Sequence, residues 1–94
     1  MRSVAHLLPA ALMELLRTSP LSDGKVTFAW RTVVGPALER VTAVKLEGGV
    51  LIVQAASAPW AREVRRSSAM ILGRVQGYLG REAVTAIRVL DPEP

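Results

Sequence analysis

From Trp60 onward, apolar residues recur at Ala61, Val64, Ile71, Leu72, Val75, Tyr78 and Leu79. On a 3.6-residue repeat these gather into an arc of roughly 120°. The spacing predicts one long amphipathic helix whose apolar stripe faces a core. The rest of its cylinder carries Arg62, Arg65, Arg66 and Arg74, offset only by Glu63. Just upstream, Val50-Leu51-Ile52-Val53 reads as a strand and Ala56-Ser57-Ala58-Pro59 as a corner of small residues. Strand, corner and helix form the unit around which the other segments are placed.

Earlier in the chain, Leu7, Leu8, Ala11, Leu12, Leu15 and Leu16 recur at spacings of three and four, which predicts a first helix over Val4–Arg17. Pro9 sits in its first turn or kinks it. Ser22 is a candidate N-cap with Asp23 in the first turn of a second helix carrying Val26, Ala29, Trp30 and Val33 on one face. Gly35-Pro36 ends that helix and begins one more short turn through Ala37, Leu38 and Arg40.

Val41–Glu47 alternates, with Thr42, Val44 and Leu46 on one face and Ala43, Lys45 and Glu47 on the other, as in a half-buried strand. Gly48-Gly49 marks a hairpin, because both central positions of a type I′ turn require positive φ. The next strand is apolar on both faces, so Val50 and Ile52 need a cover or form a contact surface. Gly77, Gly80 and Arg81-Glu82 end the long helix, and Val84–Leu90 predicts a third strand. A helix between the second and third strands implies that they run parallel through a right-handed crossover. The predicted order is α-α-β-β-α-β: a two-layer α+β domain with a three-stranded mixed sheet and helices on one face. Asp91-Pro92-Glu93-Pro94 reads as a stop and a frayed end.

At 94 residues and 50% hydrophobic composition, the chain is expected to be a single domain, with its ordered part over about residues 5–90. It has no cysteine, which excludes disulfides, thiol catalysis and cysteine-based zinc sites, and fits a reducing cytoplasm. His6, Pro9 and Glu14 interrupt the apolar amino end, which favours a helix over a signal peptide. No apolar run reaches the roughly 20 residues that span a bilayer, so a soluble protein with no membrane partner is expected. The net charge of +4 belongs entirely to Trp60–Arg88, where six arginines meet two glutamates; basic and acidic residues cancel elsewhere.

Catalytic chemistry finds little support. His6 is the only histidine, the carboxylates are scattered, and no glycine-rich phosphate loop joins a strand to a helix. Neither a metal site nor a cofactor is predicted. Binding is better supported: Arg62 and Arg66 stand one turn apart and repel each other until phosphates or carboxylates come between them. Lys45 and Arg88 are candidates to add phosphate contacts from the sheet edge. Ala69, Gly73 and Gly77 leave a groove on the outer side of the helix, at about 1 kcal/mol per mid-helix glycine relative to alanine. Trp30 and Trp60 are read as buried anchors that hold their helices to the sheet.

Trp30-Arg31-Thr32-Val33-Val34-Gly35, the strand Gly49–Val53, the helix opening Ser57-Ala58-Pro59-Trp60-Ala61-Arg62-Glu63-Val64 and the closing strand Val84–Val89 together resemble the DciA family. The likeness spans about residues 5–90. Where family members often carry His-Thr before the first strand, this chain has Val41-Thr42. The resemblance implies a bacterial, KH-like domain without ATPase activity that binds DNA and helps to place a replicative helicase of the DnaB type on it. A KH module grips single strands through a Gly-x-x-Gly loop between two helices. Gly77-Tyr78-Leu79-Gly80 has those letters but falls between a helix and a strand, so it reads as a helix terminus.

The leading expectation is therefore a DNA-binding helicase accessory domain whose phosphate contacts come mainly from Arg62, Arg65, Arg66 and Arg74. Two alternatives stay open: a protein–protein module or homodimer using Val50 and Ile52 or the Ala69-Gly73-Gly77 groove, and a KH-like RNA-binding protein.

Overall fold

Ser22 sets the start of the first described helix. Its backbone is extended, and its hydroxyl accepts a hydrogen bond from the Lys25 amide at 3.1 Å, satisfying one of the amides that a helix start leaves without a partner. The computed structural model describes residues 21–92, so the predicted helix over Val4–Arg17 lies outside the described residues. The described elements are α1 (Asp23–Arg40), β1 (Thr42–Glu47), β2 (Val50–Ala55), α2 (Ala58–Arg66), α3 (Ser68–Leu79) and β3 (Ala86–Leu90). Within α1, Gly35 takes φ 85°, ψ 169°, and Pro36 starts the short last turn.

The strands form one sheet in the order β1-β2-β3, with β1 antiparallel and β3 parallel to the central β2. Gly48 and Gly49 both have positive φ, 55° and 82°, as the predicted hairpin turn requires. Leu51, Val53 and Ala55 of β2 are buried, and their neighbours Val44, Leu46, Ile87 and Val89 pack beside them. Onto this face come Val26, Ala29 and Trp30 from α1, Val64 from α2, and Ile71, Val75 and Leu79 from α3. All described helices therefore cover one side of the sheet. The result is the predicted small two-layer α+β architecture with a three-stranded mixed sheet.

The predicted single long helix is in fact two. α2 and α3 meet at Ser67, whose φ −103°, ψ 8° leaves the helical region. The Ser67 amide is shared between the carbonyls of Glu63 at 3.3 Å and Val64 at 3.2 Å. Ser67-Ser68 supplies the weak point, since adjacent small polar residues are a usual cause of sharp helix kinks. The inward stripe survives the break, because Ala61 and Val64 before it and Ile71, Val75 and Leu79 after it are all buried. The two-helix junction thus contains no glycine, and Gly80, at φ 101°, closes α3 as a helix terminus.

Trp30 is 2% exposed and its indole Nε1 donates to Thr42 Oγ1 at 2.9 Å, fastening α1 to the start of β1. Trp60 departs from the expectation of burial and is 38% exposed. It occupies the first turn of α2, where the inward positions belong to Ala61 and Val64, so its ring lies on the flank of the buried stripe.

Candidate nucleic-acid interface

α2 opens at Ser57, whose extended backbone turns the chain away from β2 and whose hydroxyl accepts from the Trp60 amide at 3.4 Å. Pro59 stands in the first turn, where its missing N–H costs nothing. With Ala61 and Val64 buried, Arg62, Glu63 and Arg66 project outward. Arg62 and Arg66 are one turn apart on this outer face. Arg74 is exposed on α3, beyond the kink.

Two of the four helix arginines have partners within the molecule. Arg65 Nη2 lies 2.8 Å from Asp91 Oδ1 and 3.1 Å from the Val89 carbonyl, so this side chain turns toward the end of β3. Arg66 Nη1 is 3.5 Å from Glu63 Oε1, in a pair 74% and 49% exposed. Exposed pairs of this kind contribute about 0–1 kcal/mol and yield to a better anion. Arg62 and Arg74 make no ion pair with any described residue.

Lys45 and Arg88 belong elsewhere. Lys45 pairs with Ile52 across β1 and β2, and Ile52 with Arg88 across β2 and β3, so the three form one row on the sheet face opposite the helices. Lys45 Nζ is 3.2 Å from Glu47 Oε2. The six candidate cations thus separate into a helix-side group, Arg62, Arg65, Arg66 and Arg74, and a sheet-face pair, Lys45 and Arg88. No single phosphate track along one side reaches both.

The candidate partner surfaces separate in the same way. Val50 and Ile52 are half-buried on the helix-free face, while Ala69, Gly73 and Gly77 are exposed on α3. Asp91 carries no signal in the local sequence pattern. The sequence predicts a frayed end beginning there, yet Arg65 holds its carboxylate and Gln54 Nε2 donates to its carbonyl at 2.9 Å. No local spacing signals a contact between residues 26 apart. Among the described residues no cluster of histidine and carboxylate side chains could hold a metal ion, and no helix is long and apolar enough to cross a membrane.

Curated relatives described as UPF0232 proteins are similar to this chain. One from Mycolicibacterium smegmatis is 32% identical over 73 residues, covering 77% of this chain and 38% of the relative. One from Mycobacterium leprae is 29% identical over 76 residues, covering 80% and 40%. One from Mycobacterium tuberculosis is 30% identical over 73 residues, covering 77% and 39%. The chain therefore spans about two-fifths of the length of these relatives. The family model described as "Dna[CI] antecedent, DciA" matches residues 3–89, nearly the whole chain, and on that match the chain belongs to the DciA family.

Proposed function

We propose that this chain is a non-enzymatic, cytoplasmic DNA-binding accessory domain that assists a bacterial replicative helicase of the DnaB type. Family membership supports the helicase association. The observation that carries the DNA-binding part is the exposure of Arg62, Arg66 and Arg74 on the helical layer, where Arg62 and Arg74 have no carboxylate partner among the described residues. Unpaired guanidiniums on a helical layer attract phosphate without reading bases, so the binding is sequence-tolerant and salt-dependent. Arg65 joins this set only by leaving Asp91. Lys45 and Arg88 face the other way and are not part of it.

The test is a titration of labelled single- and double-stranded DNA at several salt concentrations, comparing the unmodified chain with an Arg62/Arg66/Arg74→Ala triple variant. Removal of one arginine–phosphate pair flattens the slope of log K against log salt by about 1. Equal affinity and slope for the two proteins overturn the assignment of the helix arginines. Co-purification with the replicative helicase tests the other half of the reading.

A further inference from the structure

The sheet face opposite the helices is built from three cross-strand rows: Glu47-Val50-Ala86, Lys45-Ile52-Arg88 and Ala43-Gln54-Leu90. No described element covers it. A shallow hollow of about 220 Å3 lies toward the Ala43-Gln54-Leu90 end, lined by Ala43, Val44, Lys45, Ile52, Gln54 and Leu90. Its lining is mostly aliphatic, with Gln54 beside it and Lys45 as its one cation. Lys45 and Arg88 flank Ile52 from the two neighbouring strands, about 10 Å apart at two strand spacings. The one carboxylate on the face, Glu47, is taken up by Lys45, whereas Arg88 has no carboxylate partner among the described residues.

We propose that this face docks a partner protein's amphipathic helix that carries an aliphatic stripe flanked on both sides by carboxylates. An α-helix is about 10–12 Å across, which matches the separation of the two cations. Its stripe would lie along Val50 and Ile52, with its acidic flanks over Lys45 and Arg88. The face carries no aromatic side chain on which a base could stack, and its midline is aliphatic at Val50 and Ile52, which disfavours nucleic acid. The face spans roughly 14 by 17 Å, a few hundred Å2, against the roughly 800 Å2 per partner of a standard stable interface. That area suits a helical segment better than a second copy of the chain. Residues 1–20 carry Arg2 and Arg17 against Glu14 alone, the wrong charge to serve as the occupant.

The inference does not depend on the helix arginines. The test is an amide-shift NMR titration of the full chain with two synthetic helical peptides that share a leucine stripe, one flanked by glutamates and one by lysines. The glutamate peptide should shift residues of the three rows while the lysine peptide leaves them unmoved. Arg88→Glu should weaken the glutamate peptide about tenfold with unchanged thermal unfolding, and Lys45→Glu/Arg88→Glu should bind the lysine peptide instead. Absence of binding, equal binding of both peptides, or shifts confined to α2 and α3 would overturn the proposal. So would a dimer in sedimentation that Arg88→Glu disrupts, or displacement of the peptide from these rows by a single-stranded oligonucleotide.

Discussion

The guanidinium of Arg65 binds Asp91 at 2.8 Å and the Val89 carbonyl at 3.1 Å, so the last turn of α2 is latched to the end of β3. The pair is largely exposed, 45% for Arg65 and 75% for Asp91, and an exposed bridge contributes about 0–1 kcal/mol. Asp91→Asn therefore leaves denaturant stability within about 1 kcal/mol of the unmodified chain. It also removes the charge that holds Arg65, leaving only neutral acceptors, the amide Oδ1 and the Val89 carbonyl, to compete with phosphate. The salt slope of DNA binding should steepen by about 1 in this variant, and adding Arg65→Ala should return it. A slope unchanged by Asp91→Asn would exclude Arg65 from the phosphate contacts.

Trp30 is the costliest single residue to lose from the core. It is 2% exposed, and its indole donates to Thr42 Oγ1, which in turn donates to the Leu38 carbonyl at 2.8 Å. Trp30→Ala should cost about 3–5 kcal/mol, much of the 5–15 kcal/mol typical of a domain. Thr42→Val keeps the shape but leaves the indole N–H unsatisfied, at a cost of about 1–3 kcal/mol. Urea unfolding followed by tryptophan fluorescence measures both.

The hairpin, the parallel crossover and the inward stripe are legible in the sequence because each rests on local rules: two glycines at a turn, alternation in β1, and helical periodicity from Ala61 to Leu79. The kink at Ser67 is not legible, because Val64 and Ile71 share a face whether or not the helix is continuous. Trp60 is not legible from its residue type, since a large aromatic suggests burial while the corner at Ser57 assigns the inward positions to Ala61 and Val64. The arginine pattern fixes directions around a cylinder, but it cannot show that Asp91, far along the chain, captures Arg65. Nor does it show that Lys45 and Arg88, on different strands, share a row through Ile52. That juxtaposition needs the register of both strand pairs.

The β1–β2 turn separates two glycines that look equivalent in sequence. Gly48 has φ 55°, and a Cβ there meets nothing within 4 Å. Gly49 has φ 82°, and its Cβ would lie 3.1 Å from Thr85 Oγ1. Asparagine tolerates the left-handed region, so Gly48→Asn should leave the melting temperature nearly unchanged. Gly49→Ala adds the Thr85 contact to a left-handed penalty of about 1–2 kcal/mol. The prediction fails if thermal denaturation ranks the two variants in the reverse order.

Gly73 and Gly77 lie on the exposed side of α3, and a Cβ at either meets nothing within 4 Å. Neither has positive φ. Alanine therefore fits both positions and removes freedom from the unfolded chain, so each substitution should stabilise the free domain by about 0.4–1 kcal/mol. The double variant should show a raised denaturation midpoint with an unchanged m-value. The same pair tests the groove as a contact surface. If a partner's backbone packs against these glycines, two methyl groups hold it off, and the double variant becomes more stable but recovers less of that partner in co-purification. If recovery is unchanged while stability rises, the glycines serve no close approach there, and the Ala69-Gly73-Gly77 groove is not the contact.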